Sequence, residues 1–111
     1  MPVIANRMLR IRQGDRETQV TIRLFAPELD NGNWICRYEV DWPNRKRKTA
    51  AGGVDAVQAL RLALQMVGTE IYTSDYHKSG NLIWLEAGRG YGFPVPPNLR
   101  DLLQGDDADS Y

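Results

Sequence analysis

Cysteine and histidine are nearly missing from these 111 residues, with one of each. A single cysteine excludes a disulfide framework and any cysteine-rich zinc site, and a single histidine removes most other zinc schemes, so no metal or cofactor is expected. Net charge is also lacking, since 14 basic residues balance 14 acidic ones. No apolar run approaches the roughly 18–20 residues of a membrane span. Met1–Arg7 lacks the basic-then-apolar form of a signal peptide. A soluble protein in a reducing, cytoplasmic setting, with no membrane contact, is the expectation. What is present is ordinary: 42% hydrophobic and 25% charged residues, at a length suited to one domain. At this size roughly two-thirds of the unfolded chain's surface is buried on folding, enough for a packed core without disulfides or metals.

The first half reads as sheet. Thr18–Phe25 alternates, with Val20, Ile22 and Leu24 on one side and Gln19, Thr21 and Arg23 on the other. Val3–Arg12 alternates less strictly, and Gln13-Gly14-Asp15-Arg16 between the two suits a type II′ hairpin turn. That turn sets a register that can be checked: Leu9 opposite Val20, Ala5 opposite Leu24 and Ile4 opposite Phe25. After an Asp-Asn-Gly turn signal, Trp34–Trp42 is the clearest strand, with Trp34, Cys36, Tyr38, Val40 and Trp42 pointing one way. Pro43-Asn44 breaks it, and the basic run Arg45-Lys46-Arg47-Lys48 leads into a short edge strand at Thr49-Ala50-Ala51.

Asp55 is placed to cap a helix, with Gln58 reaching back as in a capping box. Val57, Leu60, Leu64, Val67 and Ile71 trace one helical face, widened by Ala59, Ala63 and Met66. From Asp55 to Tyr72 the helix spans roughly 27 Å. A short turn over Ser74–Ser79 stops at Gly80, and Leu82–Leu85 forms a last strand. The Gly/Pro-rich stretch from Gly88 to Pro97 is an extended arm, followed by an amphipathic piece, Asn98–Leu103. The expected fold class is α+β: an antiparallel sheet of four to five strands, order β-β-β-(β)-α-β, with one long helix on one face. Its core is Leu9, Val20, Ile22, Leu24, Trp34, Tyr38 and Trp42 against the helix stripe. Residues 1–103 form one domain, and the acidic tail, 104–111, is expected to be disordered.

Few residues point to chemistry. Four adjacent cations, Arg45, Lys46, Arg47 and Lys48, match a phosphate-gripping run, but the nearest tryptophans lie on the buried parity and a solvated edge explains them better. The glycines at 88, 90 and 92 are followed by Phe93-Pro94 rather than a helix start, so they read as close-packing positions of an arm and not as a phosphate loop. Cys36 is a small buried filler, and nothing in the sequence links it to His77. Glu39 and Asp41 share the outward face with Arg37, the pattern of cross-strand ion pairs. Asp41, Asp55 and His77 lack metal-ligand spacing. A pocket near Asp41, His77 and the glycine arm is the remaining small-molecule possibility.

The outward sheet face is the informative oddity. It carries Ile4, Met8, Arg10, Thr21, Arg23, Phe25, Ile35 and Arg37, an apolar and arginine mixture that something should cover. Either the arm folds back through Tyr91, Phe93 and Val95, or a second subunit or another protein lies there. The candidate interaction residues are therefore Arg10, Arg23, Phe25, Ile35, Arg37, Tyr91 and Phe93. Charge is split along the chain: residues 1–48 hold 10 basic and 6 acidic residues, and 49–111 hold 4 and 8.

Three segments carry a resemblance: Trp34-Ile35-Cys36-Arg37-Tyr38, Gly53-Val54-Asp55-Ala56-Val57-Gln58-Ala59-Leu60, and Leu82-Ile83-Trp84-Leu85 with its Gly/Pro-rich ending. Over roughly residues 7–97 the chain resembles a family of small uncharacterised bacterial proteins classed as a domain of unknown function. That resemblance implies no activity and transfers no site. A weaker likeness is to the antitoxin of toxin–antitoxin pairs with a β-β-β-α-β core, although no segment here reads as an appended DNA-binding element. The expected function is a non-enzymatic protein–protein interaction module, immunity- or antitoxin-like, acting as a homodimer with a toxin-like or other protein partner. Nucleic-acid binding through Arg45–Lys48 is the second reading, against which overall neutrality weighs, and small-molecule binding is the third.

Overall fold

The computed structural model describes residues 2–111. Its strands are β1 (Val3–Gln13), β2 (Arg16–Phe25), β3 (Glu28–Asp30), β4 (Asn33–Trp42), β5 (Arg45–Gly53) and β6 (Leu82–Ile83). All pair antiparallel, in the order β6-β1-β2-β4-β5, with β3 following β2 along the same edge of β4. Gly14 takes a positive φ of 61° and Asp15 does not, which fits the type II′ turn. The hairpin register follows from it, with Leu9 opposite Val20 and Ala5 opposite Leu24. One pair differs. A register shift between Val3 and Ala5 puts Val3, not Ile4, opposite Phe25.

The α+β expectation holds, with more sheet than anticipated. Asn31 and Gly32, at φ 51° and 83°, close a tight hairpin that adds β3. The edge strand β5 is nine residues long and includes the whole basic run. At the other edge the last strand is shorter than Leu82–Leu85. Leu85 takes φ 58°, a left-handed conformation costly for a branched side chain, and turns the chain off the sheet after Ile83.

The main helix, α1 (Ala56–Tyr72), crosses the inner face over β4 and β5. Asp55 caps it by accepting the Gln58 N–H at 2.8 Å, while Gln58 Oε1 accepts from the Val54 N–H, one residue before the usual capping-box donor. The face it buries is the expected one rotated toward its small-residue flank, with Val57 left outside it. Ala59, Ala63, Val67 and Ile71 are buried, with Gly68 and Tyr72 on the flank, and Val57 is 75% exposed. Val57 lies about 200° around the helix from Ala59. Small residues face the sheet because they let the helix approach closely, leaving Leu60 and Leu64 half-buried at its side. Trp34 is likewise only half-buried, since it occupies the end rung of the β4–β5 ladder, opposite Gly53 and beside exposed Leu29. Trp42 is buried, stacks on Tyr76 at 5.3 Å and donates its indole N–H to Glu70 at 3.0 Å. A short helix, α2 (Asp75–Lys78), follows, capped by Ser74.

The arm departs most from expectation. Tyr91, Phe93 and Val95 are buried in the same cluster as Leu9, Val20, Ile22, Val67 and Ile71. The arm lies on the helix side of the sheet, beside α1, and covers the inner face of β1 and β2 that α1 leaves open. It therefore does not cover the outward face. Beyond the arm, after a 3₁₀ turn over Pro97–Leu102, the segment Asp106–Ser110 of the tail forms a helical turn, α3, whose Asp107 is 2% exposed.

Candidate interaction surface

Alternation along β1, β2, β4 and β5 places Asn6, Met8, Arg10, Thr21, Arg23, Phe25, Ile35, Arg37, Glu39, Asp41, Lys46 and Lys48 on the face away from α1. Charges there are paired across strands. Arg23 reaches Asp41 at 2.8 Å and Glu39 at 3.6 Å, Lys46 lies 3.7 Å from both, and Arg37 meets Glu28 at 3.0 Å. Glu17 binds Arg12 at 2.8 Å and Arg10 at 3.7 Å. The exposed pairs among these contribute at most about 1 kcal/mol each, so they organise the face more than they stabilise it, whereas Arg23, Glu39 and Asp41 are partly buried. Asp41 Oδ1 is buried and accepts no hydrogen bond.

Between the ion pairs runs an apolar strip. Val3, Ile4 and Met8 are 45–50% exposed, and Phe25 and Ile35 are half-buried. Phe25, Arg37, Glu39, Lys48 and Ala50 bound a shallow hollow of about 380 Å³. Five predicted contact residues, Arg10, Arg23, Phe25, Ile35 and Arg37, thus do share one face. The other two do not belong with them: Tyr91 and Phe93 are core residues on the opposite side of the sheet. Sequence alternation could not find this, because an arm of glycines and prolines has no periodicity that says which face it will meet.

The basic run is divided by the strand's twofold period. Arg45 and Arg47 turn to the helix side and lie 4.0 and 3.8 Å from Glu70, whereas Lys46 and Lys48 turn outward. Four adjacent cations in sequence are therefore two pairs on opposite faces, and three of them already face carboxylates. The proposed pocket of Asp41, His77 and the arm does not assemble: Asp41 is on the outer face, and His77 packs against Tyr72 and Tyr91 on the inner side. Cys36 is buried, its thiol donating to the Phe25 carbonyl at 3.4 Å, and burial pushes its pKa up, which disfavours the reactive thiolate.

A buried polar cluster that the sequence reading missed ties the tail to the arm. The Asp107 carboxylate accepts from the Tyr72 hydroxyl at 2.5 Å and from the Tyr91 and Gly92 N–H groups at 2.8 Å. Arg7 Nη1 donates to the Tyr91 and Gly92 carbonyls at 3.0 Å, and its guanidinium lies 3.9 Å over the Trp84 ring. His77 Nδ1 and the Tyr91 hydroxyl are hydrogen-bonded at 2.5 Å. This cluster holds structure together: its carboxylate is saturated by donors from its own chain.

Burial pushes the Tyr91 hydroxyl up to about 12, and it pushes Tyr72 further up, with the hydrogen bond to Asp107 adding to the effect. Burial also pushes His77 below its ordinary 6.5. The folded state therefore holds the tyrosine protons more tightly than the unfolded chain does. That stability is intact below pH 10 and falls as pH rises from the ordinary tyrosine value of 10 toward 12. For His77 the sign reverses: its neutral form is favoured in the fold, so stability is intact above 6.5 and declines below it. Thermal melts across pH 5–11 should show a plateau flanked by two declines. Tyr91→Phe should reduce the alkaline decline and His77→Gln the acidic one; unchanged profiles in both variants would contradict the assignment.

A family model described as "Domain of unknown function (DUF6968)" matches residues 5–95. No curated protein and no solved structure matches, so the likeness to antitoxins finds no counterpart.

Proposed function

We propose that this chain, which belongs to the DUF6968 family of unknown function, is a non-enzymatic protein–protein interaction module that works as a homodimer and offers its outer sheet face to a protein partner. One observation carries the reading. Among the described residues the arm is committed to the helix side, which leaves Val3, Ile4, Met8, Phe25 and Ile35 without cover from it among paired arginines. Aromatic, methionine and arginine side chains around a shallow hollow are the composition found at protein contacts. The fixed ion pairs favour a partner of complementary pattern over a nonspecific one. A small folded protein with such a face fits the immunity or antitoxin kind of role, in which binding is itself the function.

A photo-crosslinking residue placed at Phe25 or Ile35 should trap protein adducts in cells, whereas the same probe at exposed Arg61 on the far side of α1 should trap few. Phe25→Glu should abolish the adducts formed from Ile35 without altering the circular dichroism spectrum. If both face positions give no adduct, or Arg61 gives as many, the outer face is not the contact surface.

A further inference from the structure

The sheet has two long edges, and they differ in kind. The free edge of β5 carries Arg45, Lys46, Arg47 and Lys48. Cations along an edge repel a second copy of the same strand. The opposite edge belongs to β1, which pairs with β6 only at Arg10 and Ile11. Arg12 donates its N–H to the Asn81 carbonyl at 2.9 Å on that side. Main-chain groups alternate sides along a strand, so those of Met8 and Asn6 point the same way as those of Arg12. Among the described residues no strand meets them. The edge stays open because Leu85, at φ 58°, carries the chain away just where β6 would have continued along β1. Across residues 3–9 the only charge is Arg7, whose guanidinium is turned inward to Trp84 and the arm carbonyls.

We propose that β1 pairs antiparallel with β1 of a second copy, joining the two sheets into one. This rests on the homodimer reading above and specifies how the dimer forms. Register can be deduced. A twofold axis at Arg7 would set two guanidinium-bearing residues face to face, and one at Met8 would place Asn6 against Arg10, which β6 already occupies. An axis at Asn6 avoids both. It sets Asn6 against Asn6 of the copy, Arg7 against Ala5 and Met8 against Ile4, and the register shift between Val3 and Ala5 ends the regular pairing there. The exposed side chains of Val3, Ile4 and Met8 then lie along the joint, and the two outer faces merge into one continuous surface.

Hydrogen exchange measured at rising protein concentration tests the pairing. The Asn6 and Met8 amides should slow by about tenfold or more as the dimer forms, while amides on the β5 edge should not change. Asn6→Pro removes a donor that points away from β2, so it should leave the fold intact. Sedimentation should show that variant weakening dimerisation by about tenfold or more. A dimer whose Asn6 and Met8 amides exchange freely overturns the edge pairing but leaves the homodimer standing. A chain that sediments as a monomer up to several hundred micromolar overturns both. Should Asn6→Pro fail to fold, the exchange rates of the unaltered protein decide the question alone.

Discussion

Replacing Gly68 with alanine is expected to destabilise the protein by about 2–3 kcal/mol, lowering the melting temperature by about 10 °C or more. On an exposed helix the same change stabilises by about 1 kcal/mol, because alanine costs less backbone entropy. Here the sign reverses. Gly68 is buried in α1, and the Pro94 carbonyl oxygen occupies the space a Cβ would fill, with Pro94 C at 2.8 Å and Val95 Cγ1 at 3.2 Å from that position. The obstacle is backbone, so it can yield only by moving the arm. Tyr91, Phe93 and Val95 would move with it, and each is part of the core. Urea denaturation of the variant, followed by far-ultraviolet circular dichroism, measures the effect. An increase in stability would mean that the arm does not seat against α1.

Asp107→Ala should be of similar size, about 3 kcal/mol. It leaves the Tyr72 hydroxyl and the Tyr91 and Gly92 N–H groups without their shared acceptor, and buried donors without a partner cost about 1–3 kcal/mol each before relaxation. Partial opening of the tail to water would offset some of that cost. Asp109→Ala, two residues on and exposed, should stay within about 0.5 kcal/mol of the unaltered protein. The contrast matters more than either value. Equal effects at the two positions would mean that the acidic tail contributes bulk charge only; a large difference would show that one carboxylate fastens it.

These two residues also mark where sequence reading stops. The β1–β2 hairpin was legible because a Gly-Asp turn and two alternating strands must agree on one register, and only Val3 and Ile4, at the register shift, escaped it. The Asp55 cap was legible because the free N–H groups of a helix start need an acceptor close in sequence. The shared outer face of Arg10, Arg23, Phe25, Ile35 and Arg37 was legible for the same local reason, strand parity. By contrast, Val57 and Ala59 are both apolar residues at the start of α1, and periodicity alone put both on the buried face, although Val57 is 75% exposed. What buried Ala59 was the distance between helix and sheet, a property of the packed pair.

The sequence by itself determined the main strands and the long helix, most of the hairpin register and the two faces of the sheet, since each is decided by contacts a few residues apart. Tertiary structure alone decided which side the arm would take, that Asp107 in an acidic tail would become a buried acceptor, and that β1 would keep an open edge. Those outcomes depend on groups far apart in the chain, such as Gly68 with Pro94, Tyr72 with Asp107 and Arg7 with Tyr91. Their hydrogen bonds and close contacts exist only once the layers have come together.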